Sequence, residues 1–169
     1  MTSKTFFTHE QTPQPASEAE VVSFLKEHWG SINIVSRRKV TNASQLPRVL
    51  AHDENGKLIG LATYNIDKSL KTCELVSIDA AAPGQGIGSR LLAGVETDAK
   101  EAGCTKVWLI TTNDNLEAAA CYTKNGYRLM AVHLNALDKS RLLKPQIPKI
   151  GHHGLPLQDE WDFEKKLVF

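Results

Sequence analysis

Gly84-Gln-Gly-Ile-Gly-Ser-Arg90 follows the run Cys73–Asp79 (CELVSID) and opens a stretch, Ile87–Ala102, with a helical apolar pattern. Ile87, Leu91, Leu92, Val95 and Ala99 recur at i, i+4, i+5 and i+8, and Gly103 follows as a stop signal. The reading is strand, glycine turn, helix. The first N–H groups of a helix have no partner inside it, and the helix dipole leaves partial positive charge there. Glycines let that backbone approach a phosphate oxygen closely, so the turn has the chemistry of a pyrophosphate cradle. Spacing excludes the two commonest ligand classes. A dinucleotide fingerprint begun at Gly84 or Gly86 would end on Ser89 or Leu91 instead of glycine, and no Gly-Lys-Ser/Thr occurs, since Ile87 and Ser89 follow the glycines. The competing reading is a structural turn that binds nothing.

Working outward, a strand is expected at Lys4–Thr8, broken by Thr12–Pro15. Ser17 and Glu20 have capping-box spacing for a helix through Val21, Val22, Leu25 and His28 or Trp29, ended by Gly30. Strands are expected at Ile32–Val35 and Arg48–His52. The turn Asp53–Gly56 joins the latter to Lys57–Ile66 as a hairpin. On the other side of the glycine turn, Lys106–Thr111 reads as a buried strand, Asn115–Asn125 as a helix stopped by Gly126, and Tyr127–Leu134 as a strand. This β–α–β–α–β order implies a parallel junction. Asn135–Gln158 is a long connection before a last strand at Trp161–Val168. Its apolar residues favour packing rather than disorder, and it is expected to fold across a site.

Composition narrows the classes. Twenty Lys+Arg against nineteen Asp+Glu leave a net charge of +1 over 169 residues, which argues against a broad nucleic-acid surface. The length suits one domain, residues 1–169. No apolar run approaches the roughly 18–20 residues that span a bilayer, and Met1–Glu10 lacks a signal-peptide core. Cys73, Cys104 and Cys121 cannot all pair with one another and show no CxxC spacing, so a reducing cytoplasm is expected. His152-His153 has no further ligand at metal spacing, and no metal is expected.

A second signature joins the first. Asn115, Ala118, Tyr122, Gly126 and Tyr127 follow the glycine turn at fixed spacing, and together the two resemble the GNAT family of acyl-CoA-dependent N-acyltransferases, in particular a less studied bacterial-type group. The clear match covers about residues 57–134. The resemblance implies an α/β (α+β) fold: a mixed, mostly antiparallel twisted sheet of about six or seven strands with about four helices. The family's fourth and fifth strands run parallel and splay apart, and the pantetheine arm of acetyl-CoA enters the gap. Carried onto this chain, the main chain of Ile78 and Ala80 would hold the pantetheine amides. Gln85, Gly86, Ile87, Gly88 and Ser89 would cradle the pyrophosphate, and Asn115 would reach the arm from the other side. The family usually has Arg or Gln where this chain has Pro83, so that side-chain contact is absent. Gln85, Ser89 and Arg90 are candidates to compensate.

Acyl transfer to an amine needs a base, an oxyanion donor and a proton for the departing thiolate. By the same resemblance Tyr122 is the acid, against the alternative that its ring simply packs in the core. Main-chain N–H at Ile78 is the oxyanion candidate. Glu74, taken by strand alternation to share a face with Val76 and Ile78, is the candidate base, with a solvent-facing pair to Lys71 as the alternative. His133 is a second candidate base, and Asn113 and Asp114 are candidates for amine recognition. Arg37-Arg-Lys39 suits the cofactor's ribose phosphate, an acidic substrate or solvent. Lys139, Arg141, Lys144 and Lys149 give the late connection a basic bias that suits an anionic acceptor. The expected activity is acetyl transfer from acetyl-CoA to a primary amine of a small molecule by direct attack in a ternary complex. The alternatives are a catalytically weak acyl-CoA sensor, or acetylation of a protein amine. No nucleic acid or membrane partner is expected, and a monomer or homodimer would both fit.

Overall fold

The computed structural model describes residues 4–12 and 14–169; Pro13, in the expected break at Thr12–Pro15, lies outside them. The elements in chain order are β1 (Phe6–Glu10), α1 (Pro15–Trp29), β2 (Asn33–Ser36), β3 (Lys39–Asn42), β4 (Arg48–His52), β5 (Leu58–Asp67) and β6 (Thr72–Ala80). There follow α2 (Ile87–Glu101), β7 (Lys106–Thr112), α3 (Leu116–Lys124), β8 (Arg128–His133), α4 (Ala136–Leu143) and β9 (Glu160–Lys166). Seven strands form one sheet in the order β1-β4-β5-β6-β7-β9-β8, and β2 and β3 form a separate hairpin.

The parallel junction is confined to one pair. β6 and β7 are parallel from Thr72↔Lys106 to Leu75↔Leu109, and every other neighbouring pair is antiparallel. Counted along this chain the parallel strands are therefore the sixth and seventh, not the fourth and fifth. β8 does not follow β7 in the sheet, because β9 inserts between them.

Two cores flank the sheet. Ile87, Leu91, Leu92, Val95 and Ala99 of α2 pack on Val49, Ala62, Cys73, Leu75, Val107 and Leu109, as the helical stripe requires. Gly60 and Gly94 set that approach: a Cβ at Gly60 would fall 2.7 Å from Ile87 Cγ2, and one at Gly94 2.9 Å from Val49 Cγ1. On the opposite face Val21, Phe24 and Leu25 of α1 pack on Leu50, Leu58 and Leu61.

Two local expectations change. α1 begins at Pro15, whose fixed φ suits a first helical position, so Ser17 lies inside the helix. Its hydroxyl bonds the Glu10 carboxylate at 2.9 Å instead of closing a capping box. The connection 135–158 is not irregular throughout, for it contains α4 and a 3-10 turn at His152–Gly154. Arg141 staples it by donating to the carbonyls of Ile147, Pro148 and Leu157.

Candidate functional site

The ladder between β6 and β7 stops at Leu75↔Leu109, and the cause lies on the other side of β6. Against β5, Ser77 pairs with Thr63 and Leu75 with Tyr64, leaving Val76 as the extra residue of a β-bulge. Beyond it β6 stays with β5 to Ala80↔Gly60, while β7 stays with β9 to Thr112↔Glu160. Val76–Ala80 and Ile110–Thr112 thus diverge as a V with unpaired inner edges.

The bulge also resets the faces of β6. Val76 packs toward α1, whereas Ile78 and Ala80 pack with Leu75 on the α2 side. Glu74 therefore does not share a face with Ile78; the extra residue breaks the period of two. It does share one with Trp108, its register partner on β7, at the vertex of the V. Ala81 N–H donates to Ile59 carbonyl at 2.8 Å, which puts Asp79 and Leu61 in the bonded set of the β5–β6 ladder. Ile78 and Ala80 consequently turn their own N–H and C=O away from β5, into the V.

At the mouth of the V, Gly86 caps α2 with φ of 73°, a left-handed conformation that suits glycine. Among the described residues no side chain caps this end; the first helical bond is Arg90 N–H to Gly86 carbonyl, 3.2 Å. The N–H groups of Ile87, Gly88 and Ser89 precede it, facing outward beside exposed Gln85. Ser89 Oγ accepts from Asn125 Nδ2 at 3.0 Å. Arg90 does not turn to this end, since its guanidinium lies 4.1 Å from the centre of the Phe7 ring.

The far wall is α3. Asn115 is its N-cap, accepting from Ala118 N–H at 3.2 Å, which leaves its Nδ2 to donate. Tyr122 is buried against Tyr127 and Phe163, with ring centres at 6.1 and 5.8 Å. Burial, and then the nearby Asp79 carboxylate, push its phenol above the ordinary tyrosine value, so it stays protonated at neutral pH. Burial likewise raises the Glu74 carboxyl, opposed by Lys39 and Arg37. Asp79 accepts from Trp29 Nε1, and burial raises it too.

Several candidates have other employment. Asn113 Oδ1 accepts from the N–H groups of Gln158 and Asp159, at 3.0 and 2.9 Å. Asp114 is buried and accepts from Thr112 Oγ1 at 2.5 Å and His152 N–H at 2.8 Å. Both pin the 151–159 segment beside β7. His133 stands on β8, with β9 between it and β7, and its Nε2 is 3.7 Å from Asp162 Oδ2. His153 pairs with Glu117 at 2.7 Å. The sequence assigned no functional role to Asp79, Trp108, Glu160 or Asp162. For the last two a signal existed, because Glu160, Asp162 and Glu164 form a period-two row of acids on one strand face.

A splayed parallel pair, bare strand edges inside it and an uncapped helix terminus at its mouth make a receptor for an extended chain ending in a pyrophosphate. Comparisons with known proteins agree. The profile of the Acetyltransferase (GNAT) family matches residues 7–127. The Bacillus subtilis (strain 168) protein YdhI is 41% identical over 145 residues, covering 86% of this chain and 89% of that one. Among solved structures, an IAA acetyltransferase from Bacillus cereus ATCC 14579 superposes with a TM-score of 0.69 at 20% identity, over 97% of this chain and 100% of that one. A Bacillus subtilis acetyltransferase in complex with CoA gives 0.67 at 16% identity, over 98% and 100%. The chain belongs to the GNAT family, acetyltransferases that use acetyl-CoA as cosubstrate.

Proposed function

We propose that this chain, acting as one domain over residues 1–169, transfers the acetyl group of acetyl-CoA to a primary amine of a small molecule by direct attack in a ternary complex. The observation that carries the reading is the V between β6 and β7, with Glu74 at its vertex and Tyr122 on its far wall. The pantetheine arm pairs with the main chain of Ile78 and Ala80. Its pyrophosphate takes the N–H groups of Ile87, Gly88 and Ser89, with Gly86 allowing close approach and Gln85 adding a donor, and Asn115 Nδ2 donates to the arm. Glu74 accepts the proton of the incoming ammonium, directly or through water. Main-chain N–H at Ile78 stabilises the tetrahedral oxyanion. Tyr122 gives its proton to the CoA thiolate as the C–S bond breaks. A cytoplasmic setting is part of the proposal, supported by three unpaired thiols.

The first test is calorimetric titration of acetyl-CoA, with NADH as control, followed by thiol release in an amine screen. Binding of acetyl-CoA alone, with turnover, supports the reading. If acetyl-CoA does not bind, Gly84–Gly88 is a structural turn. If it binds and no amine is acetylated, the chain is an acyl-CoA sensor.

A further inference from the structure

Beside the V, the sheet face opposite α2 is charged. Glu74, Trp108 and Glu164 stand in register across β6, β7 and β9, and Asp162 and Glu160 continue the row along β9. The tip of the β2–β3 hairpin hangs over them. Arg37 and Arg38 make that tip with φ of 47° and 63°, so its shape is a two-residue turn of positive φ. The tip is anchored by its main chain, because Arg37 N–H donates to both Glu160 oxygens at 3.3 and 3.2 Å. Its guanidinium lies 5.7 Å from the centre of the Trp108 ring.

That guanidinium is under-used. Its one carboxylate contact among the described residues is Nη1 to Asp162 Oδ2 at 3.4 Å, and its side chain remains 46% exposed. Asp162 Oδ1 and His133 Nε2, beneath it, are buried without hydrogen-bond partners among the described residues. Exposed Lys39 flanks it at the hairpin tip. Arg37, beside Trp108, and Lys39, near enough to oppose the rise of the Glu74 carboxyl, therefore flank the vertex where Glu74 would receive the amine.

We propose that Arg37 and Lys39 hold an acidic group of the acceptor, so that the acceptor is an amine carrying a carboxylate a few bonds away, of the amino-acid type. The inference rests on the reading of the V as the acetyl-transfer site. An Arg fork matches a planar carboxylate with two parallel hydrogen bonds, and its cation–π contact with Trp108 holds it beside the vertex. With Glu74 taking the ammonium, a zwitterion is met by opposite charge at both ends. A polyamine would bring its second cation against Arg37 and Lys39.

The test is thiol release from acetyl-CoA with the common L-amino acids, each against its α-amide, and with spermidine. The amides have the more readily deprotonated amine, so a preference for the acid cannot arise from basicity. The best acid is expected to exceed its amide in kcat/KM by about ten-fold or more. Arg37→Met and Lys39→Met are each expected to shrink that ratio by raising KM for the acid, with acetyl-CoA affinity unchanged. An equal or better amide, a preference for spermidine, or a ratio that survives in both variants overturns the proposal. Should Arg37→Met not fold, exposed Lys39→Met decides. Acetyl-CoA binding without acetylation of any amino acid removes this acceptor class and leaves the cofactor site standing. Failure to bind acetyl-CoA removes the parent reading, and this one with it.

Discussion

Asn125 Nδ2 donates to Ser89 Oγ at 3.0 Å, tying the end of α3 to the first turn of α2. The same nitrogen donates to Cys121 carbonyl at 2.8 Å, so the tie is also part of the α3 terminus. The helix that presents the pyrophosphate donors and the helix that carries Tyr122 are thereby held at a fixed spacing. Asn125→Ala is expected to cost about 1 kcal/mol of stability, the net worth of such bonds. It should also weaken acetyl-CoA binding several-fold, by loosening the cradle without touching it. Thermal denaturation and calorimetry read the two effects.

Tyr122→Phe keeps the ring that packs on Tyr127 and Phe163 and removes only the hydroxyl. We expect kcat to fall by about 100-fold, the lower end of the range for general acids, while acetyl-CoA affinity holds within about two-fold. Full activity in this variant would assign the proton to another group.

Glu74 must be ionised to accept a proton, and burial raises its carboxyl above the ordinary value. The rate should therefore rise as pH climbs through that raised value, giving an acid limb displaced upward from the usual glutamate range. Glu74→Gln should lose both rate and limb. A pH–rate profile of kcat/KM on wild type and variant checks this, and an unchanged limb would move the base to Asp79 or His133.

Asp98 is buried between α2 and the sheet, where it accepts from Tyr64 Oη at 2.9 Å and lies 2.7 Å from His9 Nδ1. Asp98→Ala removes the carboxylate that accepts from the buried tyrosine hydroxyl and pairs with His9, and is expected to cost about 2–4 kcal/mol. Asp98→Asn, which can still accept from Tyr64, should cost less. Urea denaturation of both orders them.

Wherever one period ran uninterrupted, the sequence was a good guide. The α2 stripe and its stop at Gly103, the α3 boundaries and the β4–β5 hairpin follow from spacing and turn residues alone. The V did not follow from spacing. Its position depends on Val76 being an unpaired extra residue, which is a property of the β5–β6 register and leaves no mark in CELVSID. The same slip moved Ile78 off the Glu74 face. Asn113 and Asp114 looked available for a ligand because their partners, Gln158, Asp159 and His152, lie about 40 residues away. Arg37 read as one charge of a run open to a ribose phosphate, an acidic substrate or solvent, and only the fold sets it beside Trp108.

The insertion of β9 between β7 and β8 has a consequence for how the chain is made. During synthesis residues 128–133 emerge well before 160–166, and until the later strand arrives β8 has no neighbour to join. β7 meanwhile presents a bare edge, Lys106–Thr112, at the wall of the future site. An unpaired edge is a template for the wrong partner, and non-local pairing is slow to form. A ribosome that stalls between these two strands would hold out an adhesive half-sheet. The interval between residues 133 and 160 is thus a window in which a chaperone has something to shield.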